Sequence, residues 1–411
     1  MGCGFRHLGL LTWFDRSMRL EFDVILPRFT CLGRAKSVGL ELGLAGINKP
    51  VGLFVGPLAF NICLRFCFYK ILARCIHLSA LVEFDWIELE SLLKPFAFVF
   101  PGQGSQSVGM LDAWGDHPVV ADTLKEASDA LSQDIGALIR QGPKEELALT
   151  TNTQPVMLVA GVAAYRVWMA ETGVAPAFVA GHSLGEYAAL VAAGALTLVQ
   201  AAPLVRFRAQ AMQDAVPVGE GAMAAILGLD ATKIVAICAR ITSATDQFGL
   251  KNNDVVEAVN FNDPLQTVIA GSKAAVDKAC EVLKAEGAKR ALLLQVSAPF
   301  HSSLMKPAAE KLKQKLAETS FAPLQIPLVN NIDVAIETGV ECIRDALYRQ
   351  AFGAVRWVEC VLAIKARGVS HIVECGPGKV LAGLAKRIDA DLTGSPLFDP
   401  ASMIQVKELL V

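Results

Sequence analysis

The stretch from Ala177 to Val191 constrains the fold more tightly than any other part of the chain. Four residues of strand character, Ala177-Phe178-Val179-Ala180, run into Gly181-His182-Ser183-Leu184-Gly185. An apolar helical segment, Glu186-Tyr187-Ala188-Ala189-Leu190-Val191, follows at once. A strand that becomes a helix within five residues needs a sharp turn flanked by glycine, and Gly-x-Ser-x-Gly in that setting fits a nucleophile elbow. The glycines let the backbone turn tightly enough to lift the serine hydroxyl above the sheet. The helix N-terminus beneath it offers N–H groups and positive potential for a developing oxyanion. Ser183 is therefore the candidate nucleophile.

The rest of the chain agrees with a covered, mostly parallel sheet. Phe96 to Phe100 is a short buried strand, followed by Pro101-Gly102-Gln103-Gly104-Ser105. Pro155 is expected to open a helix, where its missing N–H costs little. Thr197-x-x-Gln200 is a capping box that opens a helix antiparallel to the elbow helix. From residue 219 to 296 the order changes to strand, helix, two strands, helix, strand, a ferredoxin-like unit. The expected fold is α/β: an α/β-hydrolase-like parallel-sheet core, residues 94–218 and 297–391, with an inserted ferredoxin-like βαββαβ domain, residues 219–296. Residues 392–411 are weakly patterned and are expected to form a surface tail.

Residues 1–93 stand apart. They hold nine of the twenty phenylalanines and five of the ten cysteines, and show no sustained period. Val51 to Leu64 carries no charge but is too short to span a bilayer. Asp15 breaks the first apolar run, which argues against a signal peptide. The expectation is a poorly ordered extension, which translation from an upstream start codon would explain. A membrane-interacting segment and an accessory domain are the competing readings.

Composition narrows the function classes. With 53% hydrophobic and 19% charged residues, a disordered or coiled-coil chain is excluded. The net charge of −2 implies no nucleic-acid surface. The cysteines form no CxxC pair and no zinc spacing, so free thiols in a reducing, cytoplasmic compartment are expected. Gly376-Pro377-Gly378-Lys379-Val380 lacks the hydroxyl residue of a P-loop, and Gly102-x-Gly104 lacks the third glycine of a dinucleotide fingerprint. No metal and no cofactor is implied.

A serine nucleophile needs a base. His182 is adjacent, but side chains at a tight elbow diverge. His301, in Ser297-Ala298-Pro299-Phe300-His301-Ser302, lies where a strand end is expected to lead into a helix, and is the favoured base. His371, ahead of Ile372-Val373, stays open as the alternative. Arg208 lies 25 residues after Ser183 on the capped helix, which could return it toward the site. An arginine so placed is otherwise a solvated surface residue.

Taken together, Phe100-Pro101-Gly102-Gln103-Gly104-Ser105-Gln106, Asn152-Thr153-Gln154-Pro155, Gly181 to Glu186, His301 and Glu374-x-Gly376-Pro377-Gly378 occur in a telling order. From about residue 95 to 390 the chain resembles the malonyl-CoA:acyl-carrier-protein transacylase family. The likeness extends to Val259-Asn260-Phe261-Asn262 and Val329-Asn330-Asn331, while the leading residues have no counterpart. The resemblance implies that Ser183 takes the malonyl group and that His301 is base and then acid, which demotes His371. It implies that the backbone carbonyl of Gln350 orients His301, and that the N–H groups of Gln103 and Leu184 form the oxyanion hole. Arg208 would hold the malonyl carboxylate, with Asn260, Asn262 and Met212 also in the substrate site. Phe300 fits malonyl rather than methylmalonyl. Lys289, Arg290, Lys386 and Arg387 would meet an acidic carrier protein. The implied partners are malonyl-CoA and acyl carrier protein, with no membrane, for a monomer supplying fatty-acid synthesis. A serine hydrolase or thioesterase is the rival enzyme, and an idle acyl-binding scaffold the rival from another class.

Overall fold

The computed structural model describes two strands of the leading segment, β1 (Val38–Leu42) and β2 (Val51–Val55), and then residues 94–296 and 298–410. β1 and β2 pair antiparallel, Val38 opposite Val55 and Leu42 opposite Val51. Neither strand is assigned from the sequence; each five-residue run carries a glycine, Gly39 in β1 and Gly52 in β2, which strands disfavour. They belong to a unit running from Met1 to Asp85, and Trp86 to Val411 forms the second unit. The expectation that residues 1–93 as a whole are a poorly ordered extension lies outside the described residues.

The second unit begins with β3 (Phe96–Phe100). α1 (Pro118–Leu131), α2 (Ile135–Gln141), α3 (Lys144–Ala148) and α4 (Thr150–Thr172) lead to β4 (Phe178–Gly181). α5 (Gly185–Ala192) and α6 (Leu198–Gln213) follow as the expected helical hairpin, and Thr197 and Gln200 close the capping box. The helix expected to open at Pro155 starts at Thr150 instead, with Pro155 inside it.

The smaller sheet comes next. It holds β5 (Gly221–Leu227), α7 (Ala231–Ser243), β6 (Val256–Asp263), β7 (Gln266–Ser272), α8 (Lys273–Ala285) and β8 (Arg290–Leu293). Its strand order is β6-β7-β5-β8, antiparallel throughout, which is the ferredoxin-like arrangement. Ile226 and Ile269 pack with Ile234 and Ile241 of α7 and with Val276 and Leu283 of α8. Met223, Val259, Val268 and Ala270 pack instead with Met212, Ala298, Phe300 and Met305. That second cluster joins the small sheet to α6 and to the segment carrying His301.

The chain then returns through α9 (Lys306–Glu318), β9 (Leu328–Val329), α10 (Val340–Gln350), α11 (Trp357–Lys365) and β10 (His371–Cys375). It ends with α12 (Val380–Ile388), β11 (Thr393–Leu397) and α13 (Pro400–Leu410). The main sheet, ordered β11-β10-β3-β4-β9, is parallel at every pairing. Parallel strands covered on both faces read as unbroken apolar runs, and FAFVF is one. Phe96, Phe98 and Phe100 point into the cluster with Leu158 and Trp168. Ala97 and Val99 face Trp357, Val361 and Ile364 on the other side.

The expected surface tail is corrected by this topology. Residues 393–397 are the edge strand, pairing with β10 from His371↔Thr393 to Cys375↔Leu397. α13 buries Met403, Val406 and Leu410 in the main core. Gly394, Ser395 and Pro396 hide the strand in the sequence. Proline has no N–H to give a ladder, and the edge of the sheet, where β11 lies, is a place that tolerates one.

The elbow sits where β4 ends. A Cβ on Gly181 would fall 1.9 Å from the Gly185 carbonyl carbon, and one on Gly185 would fall 2.0 Å from the Phe100 carbonyl oxygen. No side chain fits either place, so the Gly-x-Ser-x-Gly spacing follows from the approach of α5 to β4 and β3.

Candidate active site

Ser183 occupies the apex of the elbow with φ +53°, a left-handed conformation rare for a residue with a side chain. Asn331 holds it there. The Ser183 N–H donates to Asn331 Oδ1 at 2.7 Å, and Asn331 Nδ2 donates to the Gly181 carbonyl at 2.7 Å. The Asn331 N–H in turn donates to Glu186 Oε2 at 2.9 Å. One buried asparagine thus ties together the two arms of the turn. Strain of this kind persists only where the surroundings over-determine it.

His301 lies on the loop between β8 and α9, with φ +66°, rather than at a strand end. Its Nε2 is 2.6 Å from Ser183 Oγ, and its Nδ1 is 2.8 Å from the Gln350 carbonyl oxygen at the end of α10. A carbonyl can only accept, so Nδ1 carries the proton and Nε2 presents its lone pair to the serine hydroxyl. Burial, and next the charge of Arg208, hold the His301 pKa down at about 3. The imidazole is therefore neutral across the physiological range. His371 starts β10, at the strand end away from the elbow, and does not join the site. His182 turns aside as expected: its Nε2 is 2.8 Å from Asn262 Oδ1 and its ring lies 5.6 Å from that of Trp357.

Arg208 is buried, not a surface residue. α6 returns it to the elbow, where Nη2 donates to Ser183 Oγ at 3.1 Å and to Gln350 Oε1 at 3.2 Å. Nη1 donates to Gln154 Oε1 at 2.7 Å, and the guanidinium lies 5.5 Å from the centre of the Tyr187 ring. Burial lowers its pKa, while Tyr187 and Glu186 oppose that shift. A guanidinium nonetheless keeps its charge. Among the described residues no carboxylate forms an ion pair with Arg208, and its Nε has no partner. A buried cation surrounded by neutral partners is costly unless an anion joins it.

The other expected residues divide. Leu184 is the buried N-cap of α5, so its N–H is among the donors that a helix start leaves without an intrahelical acceptor. Gln103 lies in the turn after β3. Met212, one turn beyond Arg208, is buried beside Phe300. Asn260 is half-buried with an unpartnered Oδ1. Asn262 is committed to His182, which makes its side chain a support for the elbow. Lys289, Arg290 and Lys386 are exposed, but Arg387 already pairs with Asp263 at 2.9 Å. Gln154, Glu186, Tyr187 and Asn331 also belong to the site. The sequence signal for them lay in the quoted motifs, which carried no role.

Glu374, at the end of β10, is fully buried and accepts from the Ala382 N–H at 2.9 Å, within the first turn of α12. Burial raises its pKa from 4.5 to about 7, against the pull of the α12 amides. A folded pKa above the unfolded one gives a contribution that is full below pH 4.5 and is lost as pH rises through about 7. Relative to Glu374→Gln, the unmodified chain should therefore lose stability between pH 5 and pH 8. Urea unfolding of both chains at several pH values checks this; a difference independent of pH would contradict it.

Among the described residues no helix is long and apolar enough to cross a membrane, and no cluster of His, Cys, Asp and Glu could hold a metal ion. Residues 97–388 match the acyl transferase domain family. The malonyl CoA-acyl carrier protein transacylase of Escherichia coli K12 is 52% identical over 318 residues, which is 77% of this chain and 100% of that relative. The Bacillus subtilis protein of the same name is 41% identical over 312 residues, 76% of this chain and 96% of that one. Among solved structures, an acyl-carrier-protein S-malonyltransferase from Burkholderia pseudomallei is 62% identical with a TM-score of 0.73, covering 76% of this chain and 99% of that one. A malonyl-transacylase in complex with its type II polyketide synthase acyl carrier protein is 50% identical with a TM-score of 0.73, covering 77% and 100%. Identity at this level, sustained over the whole length of such relatives, places this chain in the acyl transferase family, beside the malonyl CoA-acyl carrier protein transacylases.

Proposed function

We propose that this chain moves a malonyl group from malonyl-CoA to the phosphopantetheine thiol of an acyl carrier protein, through a malonyl ester on Ser183. One observation carries the reading: Arg208 is a buried cation 3.1 Å from the candidate nucleophile, with neutral hydrogen-bonding partners only. An acyl group ending in a carboxylate supplies the missing anion, and guanidinium binds carboxylate in a matched fork. An acetyl group leaves the cation unpaired.

The chemistry follows from the hydrogen-bond chain. His301 Nε2 takes the Ser183 proton as Oγ attacks the thioester carbonyl. The oxyanion forms against the N–H groups of Gln103 and Leu184, a kind of stabilisation for which each donor is worth about 10²–10³ in rate. His301 then protonates the departing CoA sulfur. The carrier thiol enters and the steps reverse. The Gln350 carbonyl suffices as the partner of Nδ1, since it fixes the tautomer and the ring orientation. Arg208 also depresses the basicity of His301. A bound malonyl carboxylate offsets that field, so the base gains strength when the matching substrate is in place.

The five described cysteines are free thiols, which supports a reducing, cytoplasmic setting. A monomer supplying extender units for fatty-acid synthesis is the assembly and role we assign. Lys289, Arg290 and Lys386 are the exposed cations we assign to the carrier. Reversing Lys289 and Arg290 to glutamate should raise the KM for carrier protein by about 5–20-fold, since rim charges act mainly on encounter. Acylation by malonyl-CoA should be unchanged, and a carrier KM within twofold of the original would remove these residues from the contact.

Initial rates with both substrates varied test the reaction scheme. A covalent intermediate gives parallel double-reciprocal lines. Intersecting lines would require both substrates bound together and would contradict it.

A further inference from the structure

Gln350 is engaged through three polar atoms at once. Its backbone carbonyl accepts from His301 Nδ1, its Oε1 accepts from Arg208 Nη2, and its Nε2 donates to the Ser183 carbonyl at 3.1 Å and to Glu186 Oε2 at 3.0 Å. The two ends of a side-chain amide have nearly the same shape, so the neighbours decide which way it lies. Arg208 can only donate, and the Ser183 carbonyl can only accept. Glu186 adds a second acceptor on the same side, itself fixed by the Asn331 N–H.

Building on the malonyl-transfer reading, we propose that Glu186 is a positioning residue for acyl selectivity. It anchors the Gln350 amide with its oxygen toward Arg208, and so aims the guanidinium at the Ser183 hydroxyl. A flipped amide would set oxygen against the two acceptors and NH₂ against the arginine. Without Glu186, the 3.1 Å contact to the Ser183 carbonyl is the one acceptor left on the Nε2 side, and the 3.2 Å contact from Arg208 the one donor on the Oε1 side. Glu186 does this from a distance: among the described residues it forms no ion pair with Arg208. The guanidinium therefore keeps free N–H capacity for a substrate carboxylate, with Nε unpartnered. A carboxylate in direct contact with Arg208 would fill the place of the substrate.

The test compares Ser183 acylation rates from malonyl-CoA and acetyl-CoA, by quench and intact mass. Both acyl groups share the contact of Arg208 with Ser183 Oγ, but acetyl has no carboxylate for the guanidinium to hold, so the rate ratio isolates that second contact. Glu186→Met should lower the malonyl-to-acetyl rate ratio by tenfold or more. Glu186→Gln, which keeps an acceptor oxygen for Gln350 Nε2 and the Asn331 N–H, should restore the ratio to within threefold of the original. Equal slowing of both acyl groups in Glu186→Met would overturn the proposal, as would a Glu186→Gln ratio as low as that of the methionine variant. Should Glu186→Met not fold, Gln350→Met carries the test, since it keeps the backbone carbonyl for His301 and removes the amide. An unchanged ratio there would equally overturn the proposal. Absence of a malonyl preference in the unsubstituted chain would instead count against the malonyl-transfer reading itself.

Discussion

Replacing Arg208 with methionine should cut malonyl transfer by about 10²–10³-fold and leave acetyl transfer at or above its original rate. Removing one partner of a buried, hydrogen-bonded charge pair costs about 3–5 kcal/mol, and each 1.4 kcal/mol is a factor of ten. The loss falls on malonyl alone because only malonyl brings the second charge. Two effects favour acetyl in the variant. The unpaired cation that an acetyl group leaves behind is gone, and so is the charge that adds to burial in holding the His301 pKa down. Methionine keeps the apolar stem, and the site is lined nearby by Tyr187 and Met212, so the packing change is small. The check is kcat/KM for both CoA thioesters. A parallel fall in the two would make Arg208 a structural residue.

The second large effect is at Ser183. Ser183→Ala should abolish the acyl-enzyme and lower transfer by about 10⁴–10⁶-fold, the range found when a serine nucleophile is lost. The fold should survive, because the backbone groups of residue 183 bond to Asn331 and Gln350 and do not need the hydroxyl. Arg208 would lose one of three hydrogen-bond partners and keep Gln154 and Gln350. Intact mass after exposure to malonyl-CoA, with circular dichroism on the same sample, separates lost chemistry from lost structure. A stable malonyl adduct on the alanine variant would place the nucleophile elsewhere.

The elbow was legible because its chemistry and its geometry use the same residues: glycines that no side chain can replace, between a strand and a helix. The ferredoxin-like unit was legible because its strands and helices carry distinct periods, even though a 3₁₀ turn at Thr245–Phe248 intervenes between α7 and β6. The base was harder. His301 reaches Ser183 across 118 residues from a loop with positive φ, which leaves no periodic trace, so local pattern could not separate it from His371. Arg208 shows the same limit: its helix was predicted from the capping box, but the face it turns inward was not. Only the order of motifs assigned it a role. Gln350 acts on His301 through a backbone carbonyl, which every residue has, so no side-chain signal exists for it. Asn262 was expected at the substrate with Asn260 and is found on His182: strand alternation would give the two one face, but the β6 ladder is irregular between Phe261 and Asp263, and residue pattern does not register such a bulge.

The most direct measurement is the intact mass of the purified chain after incubation with malonyl-CoA and, separately, acetyl-CoA, followed by addition of carrier protein bearing its phosphopantetheine thiol. The account predicts a single malonyl adduct on Ser183, little acetyl adduct, and discharge of the malonyl group only when the carrier thiol is added. Loss of the adduct to water at the same rate with or without carrier would make the chain a hydrolase, and no adduct at all would contradict the covalent mechanism.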